Sequence, residues 1–221
     1  GMQLTGTIFS NLSAILGNDI STFHDFPAEI RAPQGTLSGV SGFQVHLGSR
    51  KIYTPGDKAD VLVAMNPAAL KVNVKHIKPN AIVIIDTDSF LKNDLTKAQF
   101  VTEDPFANSV QVVAVPISSM VKDGLAEFEL DNKSALRCKN MFALGLVCWL
   151  FERPLEEAMH MLQNKFAKKP AIVKANIKAL TDGYNYGHNT HATVSTYRIE
   201  STTVEPAYYT DVNGNKATSY G

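Results

Sequence analysis

An arginine between two prolines is the group in this sequence best suited to bind an anion. Arg31 lies between Pro27 and Pro33, and a stretch rich in glycine and serine follows it. Prolines restrict the loop backbone, and a guanidinium is a planar fork that fits phosphate or carboxylate oxygens. The plainer interpretation is a surface ion pair between Arg31 and Glu29 beside a flexible loop. The residues alone favour that plainer interpretation.

Other polar residues follow predicted strands or stand in pairs. Asp86 ends an apolar run and has two interpretations: it could hold a ribose hydroxyl, but an aspartate there more often caps the next turn. His188 and His191 are three apart with no third ligand nearby, so they predict no metal site. Cys138 and Cys148 stand in an apolar run, where free cysteine packs as a small hydrophobe. The sequence contains no dinucleotide, phosphate-loop or serine-hydrolase motif.

The first half of the chain alternates predicted helices and strands. Residues 4–16 carry apolar side chains at helical spacing, and Gly17 stands where that helix would end. Extended segments follow at 20–23 and, with alternating polarity, at 43–47. Residues 61–65, 81–86 and 110–115 are nearly continuous apolar runs, which indicate strands covered on both faces of a parallel sheet. Asn66 and Pro67 predict the start of a helix, and Ser118 predicts another helix cap.

The second half is predicted to be helical. One long buried helix is expected over 134–151, a second after Pro154, and a third over 172–181 that ends at Gly183. From Gly187 onward periodicity fades, as in a linker or docking arm.

These elements predict an α/β fold with three α/β/α layers, a mostly parallel sheet of about five strands and a helical C-terminal half. Ligands of such folds bind outside the carboxyl ends of the strands. Asn66, Asp86 and Ser118 fall there, and so would the start of the first helix if a strand preceded it. The expectation is therefore that the natural domain begins earlier, with a strand and a glycine turn.

Length and composition limit the classes of function. A chain of 221 residues is expected to form one large domain, or one domain with an extension. Lysine plus arginine and aspartate plus glutamate both number 21, which argues against nucleic acid or an anionic membrane as the main partner. The longest apolar run falls short of the ~20 residues of a membrane span. A soluble protein of a reducing cytoplasm is expected.

Several blocks of the sequence resemble one enzyme family. Residues 27–31 (Pro-Ala-Glu-Ile-Arg), 60–70, 138–146 and 151–154 resemble, in order, motifs of the gamma domain of 2-oxoacid:ferredoxin oxidoreductases, especially the fused 2-oxoglutarate type. The resemblance covers about 1–187, and 213–218 resemble the junction toward a pyrimidine-binding thiamine domain whose own motif is absent. It implies a domain over 1–187 and a linker or docking tail over 188–221.

The resemblance also implies a function and a site. The family's assembled enzymes convert a 2-oxoacid and CoA to acyl-CoA, CO2 and reduced ferredoxin. CoA is a co-substrate, while thiamine diphosphate and iron–sulfur clusters sit in partner portions. The implied partners are the thiamine-binding alpha and beta portions, ferredoxin indirectly and a second copy in a homodimer. Carried over, Arg31 would contact a CoA phosphate, Gly1 would offer helix-start N–H groups, Asn140 would be a polar contact, and Ser38 and Ser41 weaker ones.

The resemblance assigns this chain no catalytic residue and no metal ligand, so the chain alone is expected to be inactive. Asn140 has an equally weighted alternative role, which is to cap or bridge buried backbone. Two further functions remain open for the whole chain. It could be an independent nucleotide-binding α/β module, or a structural docking domain in which the Arg31 loop contacts other subunits.

Overall fold

The computed structural model describes residues 1–26, 40–100, 110–128, 130–202, 207, 212 and 214–221. In these residues one helix is followed by three strands in succession, helices and strands then alternate as far as the fifth strand, and only helices come after it. In chain order the elements are α1 (Met2–Ile15), β1 (Asp19–Asp25), β2 (Gly42–Gly48), β3 (Ala59–Ala64), α2 (Pro67–Asn73), β4 (Ile77–Asp86), α3 (Lys92–Lys97), β5 (Gln111–Val115), α4 (Ile117–Gly124), α5 (Asn132–Arg137), α6 (Lys139–Leu150), α7 (Glu156–Lys165), α8 (Pro170–Thr190) and α9 (Gly214–Tyr220).

A parallel sheet with both faces covered forms the centre of the fold. Its strand order is β3-β4-β5, and both pairings are parallel. Ile82 and Ile84 of the middle strand face the main core, which α1, α4, α6 and α8 complete. Val83 and Ile85 point the other way and pack in a second cluster with Leu70 of α2. This arrangement confirms the predicted α/β class and the helical C-terminal half.

The first two strands form a separate antiparallel ribbon. β1 pairs with β2 from Asp19 opposite Gly48 to Asp25 opposite Gly42, and in the described residues this ribbon joins no strand of the parallel sheet. The predicted strands are therefore divided over two sheets. The polarity pattern of the sequence agrees with this division, because β2 alternates between apolar and polar residues while β3, β4 and β5 are nearly continuous apolar runs. α1 packs on the ribbon, where Phe43 lies directly over Gly6.

Two local predictions at helix ends are confirmed. Asn66 caps α2 by accepting a hydrogen bond from Ala69 N at 2.8 Å, and Pro67 takes the first helical position. Gly17 ends α1 with a φ of 81°, a left-handed conformation that glycine adopts without a Cβ penalty.

Two other predictions about helix boundaries are wrong. Ser118 does not cap α4, because that helix already starts at Ile117. The N–H groups in its first turn donate instead to Asp86 and Asp88, which lie in another segment of the chain. The single helix expected over 134–151 is two helices, α5 and α6, with Cys138 between them. α5 starts at Asn132 because Asp131 caps it through Ser134 N.

The helix expected to end at Gly183 instead continues to Thr190. Gly183 lies where α8 crosses α6, and a Cβ there would collide with the carbonyl oxygen of Phe142. On the facing helix, a Cβ at Gly145 would collide with the carbonyl oxygen of Leu180. Both glycines therefore permit close backbone approach and do not mark a helix end.

After α8 the chain returns across the domain as an extended segment, residues 196–202, which we call the strap. Tyr197 N donates to Leu150 O at 2.7 Å, and the Tyr197 ring stacks on Phe151 with centroids 5.1 Å apart. Thr202 N donates to Gly17 O at 2.7 Å. The strap thus ties the ends of α1 and α6 together. Of the helices that the structure describes, none combines the length and apolar character needed to cross a bilayer.

Candidate functional site

Two helices begin side by side at one place on the surface. A Cβ at Gly1, just before α1, would lie 2.6 Å from Nδ2 of Asn140 in the first turn of α6. Neither helix has a side chain that caps its amino end. The first N–H groups and the dipole of α1 favour an anion, whereas at the start of α6 Met141 N already donates to Cys138 O at 2.8 Å. The structure therefore brings together Gly1 and Asn140, two of the predicted site residues.

Gln3 connects this place to the residues that flank segment 27–39, which contains Arg31. Its Nε2 donates to Ser41 Oγ at 3.0 Å, to Gly42 O at 2.8 Å and to Asp25 O at 3.3 Å. Its Oε1 lies 2.8 Å from Nδ1 of His24, which completes a bond if that nitrogen carries the proton. The residues on both sides of segment 27–39 are thus bound to the first turn of α1.

Three of the five predicted ligand contacts are therefore neighbours of α1. Ser41 also donates to Asp25 O at 3.4 Å, so its hydroxyl already has two protein partners. The other two predicted contacts, Arg31 and Ser38, lie outside the described residues.

The carboxylate that ends the middle strand is enclosed by donors. Asp86 is fully buried and accepts from Ser118 Oγ at 2.7 Å, Ser118 N at 3.2 Å and Ser89 Oγ at 3.0 Å. Lys139 Nζ lies 3.5 Å away. Asp86 therefore caps the start of α4 and not, as the plainer interpretation had predicted, the turn that directly follows it, and it is not placed to hold a ribose hydroxyl. Next to it, Asp88 accepts from Ser119 N at 2.6 Å.

Lys139, the first residue of α6, links the amino end of that helix to the buried Asp86 carboxylate. It directly precedes Asn140, and its side chain is 27% exposed, so the ammonium neutralises Asp86 and also reaches solvent.

A shallow cleft of about 370 Å³ lies further along the same edge of the sheet. Its lining includes Asn66, Asp88 and Asp94. Its two carboxylates outnumber its one ammonium group, that of Lys97, so this cleft suits an anion less well than the helix ends do.

The cysteines do not fit an iron–sulfur cluster. Burial raises the pKa of Cys138 to about 11 and the pKa of Cys148 to about 12, so both remain neutral thiols at physiological pH. An iron–sulfur cluster is held by about four cysteine thiolates, and the sequence has two cysteines. In the described part of the chain, no three histidine, cysteine, aspartate or glutamate side chains lie close enough to share a metal ion.

The sequence interpretation missed two residues of this site. Lys139 could have been identified from the sequence, because it is a cation in a predicted helix and directly precedes Asn140 in the same motif. Nothing in the sequence pointed to Gln3, because its partners lie 21 to 39 residues away along the chain. Only the packing of α1 on the ribbon brings those partners within reach.

Comparison with known proteins identifies the family. The family model for pyruvate ferredoxin/flavodoxin oxidoreductase matches residues 1–186, and the chain belongs to this family. It is also 44% identical over 224 residues to the 2-oxoglutarate oxidoreductase subunit KorA of Mycobacterium tuberculosis (strain ATCC 25618 / H37Rv). That alignment covers 100% of this chain and 34% of the relative.

Solved structures give the same result for the fold. A 2-oxoglutarate:ferredoxin oxidoreductase from Magnetococcus marinus, with 2-oxoglutarate, coenzyme A and succinyl-CoA bound, superposes with a TM-score of 0.67 and 26% identity. The match covers 90% of this chain and 31% of that chain. The gamma subunit of a keto/oxoacid ferredoxin oxidoreductase from Geobacter sulfurreducens has a TM-score of 0.54 at 17% identity, covering 84% of this chain and 90% of that chain.

The chain therefore spans about a third of the length of the KorA relative and of the Magnetococcus protein, 34% and 31% respectively. By contrast, its likeness to the Geobacter gamma subunit covers 90% of that subunit and shows a shared fold. This fold corresponds to one module of the larger proteins.

Proposed function

We propose that this chain is the gamma-type domain of a thiamine-dependent 2-oxoacid:ferredoxin oxidoreductase and helps to bind CoA beside the active site. The assembled enzyme converts a 2-oxoacid and CoA to acyl-CoA, CO2 and reduced ferredoxin. Residues 1–187 are the domain, and 188–221 lead toward a thiamine-binding portion. Thiamine diphosphate, which stabilises the carbanion, and the iron–sulfur clusters belong to partner portions.

One observation carries this proposal. The amino ends of α1 and α6 meet at Gly1 and Asn140, and Gln3 binds both sides of the Arg31 loop to the same turn. CoA offers phosphates, and unpaired helix-start N–H groups together with a guanidinium are donors that suit phosphate. The Magnetococcus protein, whose structure contains coenzyme A, supports the choice of ligand.

Within this proposal each residue has a separate task. Arg31 contacts a CoA phosphate, the N–H groups after Gly1 add donors, and the Asn140 amide makes a polar contact. Ser38 is a weaker contact. Ser41 has its hydroxyl hydrogen engaged with Asp25 O and chiefly holds the loop in place.

The enzyme works in the cytoplasm with the thiamine-binding alpha and beta portions and ferredoxin, as a homodimer, and the buried free thiols suit a reducing compartment.

Kinetics of the assembled enzyme test the proposal. Arg31→Ala and Asn140→Ala should each raise KM for CoA about tenfold, since a charge-assisted hydrogen bond contributes about 1.5–3 kcal/mol. KM for the 2-oxoacid should stay within about twofold because that substrate is bound by other portions.

Arg50→Ala is the matched control. Arg50 is exposed just beyond the far end of β2, so its loss should leave KM for CoA unchanged. An unchanged KM for CoA in both Arg31→Ala and Asn140→Ala would refute the CoA role and indicate a structural docking domain.

A further inference from the structure

Arg153 is a buried residue whose guanidinium has two nitrogens without a hydrogen-bond partner. It follows α6 in the turn to α7, and only 4% of it is exposed. Its backbone N donates to Cys148 O at 2.7 Å, which fixes the turn, but side-chain Nε and Nη2 are buried without a hydrogen bond. In the described part of the chain no carboxylate forms an ion pair with it.

The nearest acidic neighbour is already engaged. Glu152 is exposed, and its Oε1 accepts from Thr196 Oγ1 at 2.6 Å, so it points to the strap. Burial lowers the pKa of Arg153, and a Cys148 thiolate and the Glu152 carboxylate act in the opposite direction, although the Cys148 thiol is neutral at physiological pH. Because a guanidinium stays protonated at any physiological pH, the turn holds a positive charge that no ion pair among the described residues neutralises.

This arginine lines a cleft between α1, the α6–α7 turn and the strap. The cleft has a volume of about 730 Å³. Leu16 and Phe151 form an apolar wall, and a second guanidinium, Arg198, is exposed at the mouth. The full lining is Leu16, Phe151, Glu152, Arg153, Arg198, Ile199, Glu200 and Ser201.

We propose that this cleft binds a small carboxylate through the Nε and Nη2 atoms of Arg153, with Arg198 at the entrance. The N–H bonds of these two nitrogens lie along the same edge of the planar guanidinium and match the two oxygens of one carboxylate. The apolar wall accommodates a short carbon chain. The exposed carboxylates of Glu152 and Glu200 border the entrance and select against ligands of high negative charge.

Nε and Nη2 are covered, so ligand entry requires a wall of the cleft to move, and we propose that the strap is the part that moves. Between its anchors at Tyr197 and Thr202 the strap is bound mainly by Asn18, whose Nδ2 donates to Glu200 O at 2.8 Å and to Ile199 O at 3.4 Å. The cleft lies at the carboxyl ends of α1 and α6, whereas the proposed CoA contacts lie at their amino ends. At 1.5 Å per residue these places are roughly 20 Å apart, so this proposal does not rest on the CoA proposal.

Thermal unfolding of the full chain tests the site. Sodium acetate, sodium succinate and sodium phosphate are titrated at an ionic strength held constant with sodium chloride. Acetate and succinate should raise Tm in a saturable way, by about 5 °C at a hundredfold excess over Kd. Arg153→Met should abolish that rise while leaving the ligand-free Tm equal or higher, because an unpaired buried charge is replaced by an apolar side chain.

Further variants make each outcome decisive. Arg198→Ala should raise the apparent Kd for acetate about tenfold, and Arg153→Lys should do at least the same because it loses the fork. If Arg153→Met does not fold, either of these two variants tests the site in its place, and Arg50→Met should respond like wild type.

A rise in Tm no larger than with sodium chloride would show that water alone solvates Arg153. A larger effect of phosphate than of either carboxylate would overturn the carboxylate assignment, and an undiminished rise in Arg153→Met would overturn the site.

Discussion

At the scale of single residues, Gln3 carries the geometry of the proposed CoA site. Its amide connects the first turn of α1 to Asp25 on one side of the Arg31 loop and to Ser41 and Gly42 on the other. A long side chain with a donor and an acceptor at its tip suits this position, because it binds several backbone and hydroxyl groups at once. Gln3 is a positioning residue, since it acts on the ligand only through its neighbours.

Replacing the amide tests that role. Gln3→Met keeps the length of the side chain and removes the hydrogen bonds, so we expect a loss of about 1–2 kcal/mol in the free energy of unfolding. In the assembled enzyme, KM for CoA should rise about threefold or more while KM for the 2-oxoacid stays the same. Gln163→Met, at an exposed position on α7, is the control. Unchanged KM for CoA together with lost stability would show that Gln3 is structural only.

The two thiols allow a prediction of pH dependence. Because burial raises the pKa of Cys138 to about 11 and of Cys148 to about 12, the reactive thiolate is scarce at pH 8 and grows only as pH approaches these values. The native chain should therefore release almost no chromophore from Ellman's reagent at pH 8, and the unfolded chain should release two equivalents. Rapid native labelling at pH 8 would contradict this burial.

At the scale of elements, the crossing of α6 and α8 holds the helical half together. Gly145 and Gly183 each face a backbone carbonyl of the other helix. Pattern analysis interpreted Gly183 as a helix end because an isolated glycine is a local terminator. Here its cause is tertiary, and no local pattern carries that information. Asn66, in contrast, was predicted correctly because its cap partner lies three residues away.

Adding one methyl group at the crossing tests this interpretation. Gly183→Ala gains about 1 kcal/mol in helix propensity but forces the helices apart, so we expect a net loss of about 2 kcal/mol or more in the free energy of unfolding. Gly214→Ala in α9 is the matched control, because a Cβ there meets nothing within 4 Å. Urea denaturation of both variants measures the difference. A stabilised Gly183→Ala would show that the helices are not in close contact.

At the scale of the whole molecule, sequence patterns predicted the α/β class, the parallel strands and part of the candidate site. Asn140 was found through the family resemblance, and the structure adds that it lies beside Gly1. The ribbon of β1 and β2, the strap and the buried guanidinium of Arg153 were not predicted. Each depends on contacts between segments far apart in the chain, as between Tyr197 and Leu150. Periodicity and capping rules report only on near neighbours.

The structure of the assembled enzyme with CoA bound tests the central claim most directly. We predict that a CoA phosphate lies within about 3 Å of a donor among Arg31, Asn140 and the first N–H groups of α1. A structure in which CoA is bound entirely by other portions of the enzyme, with all three of these donors facing solvent or another subunit, would contradict the account.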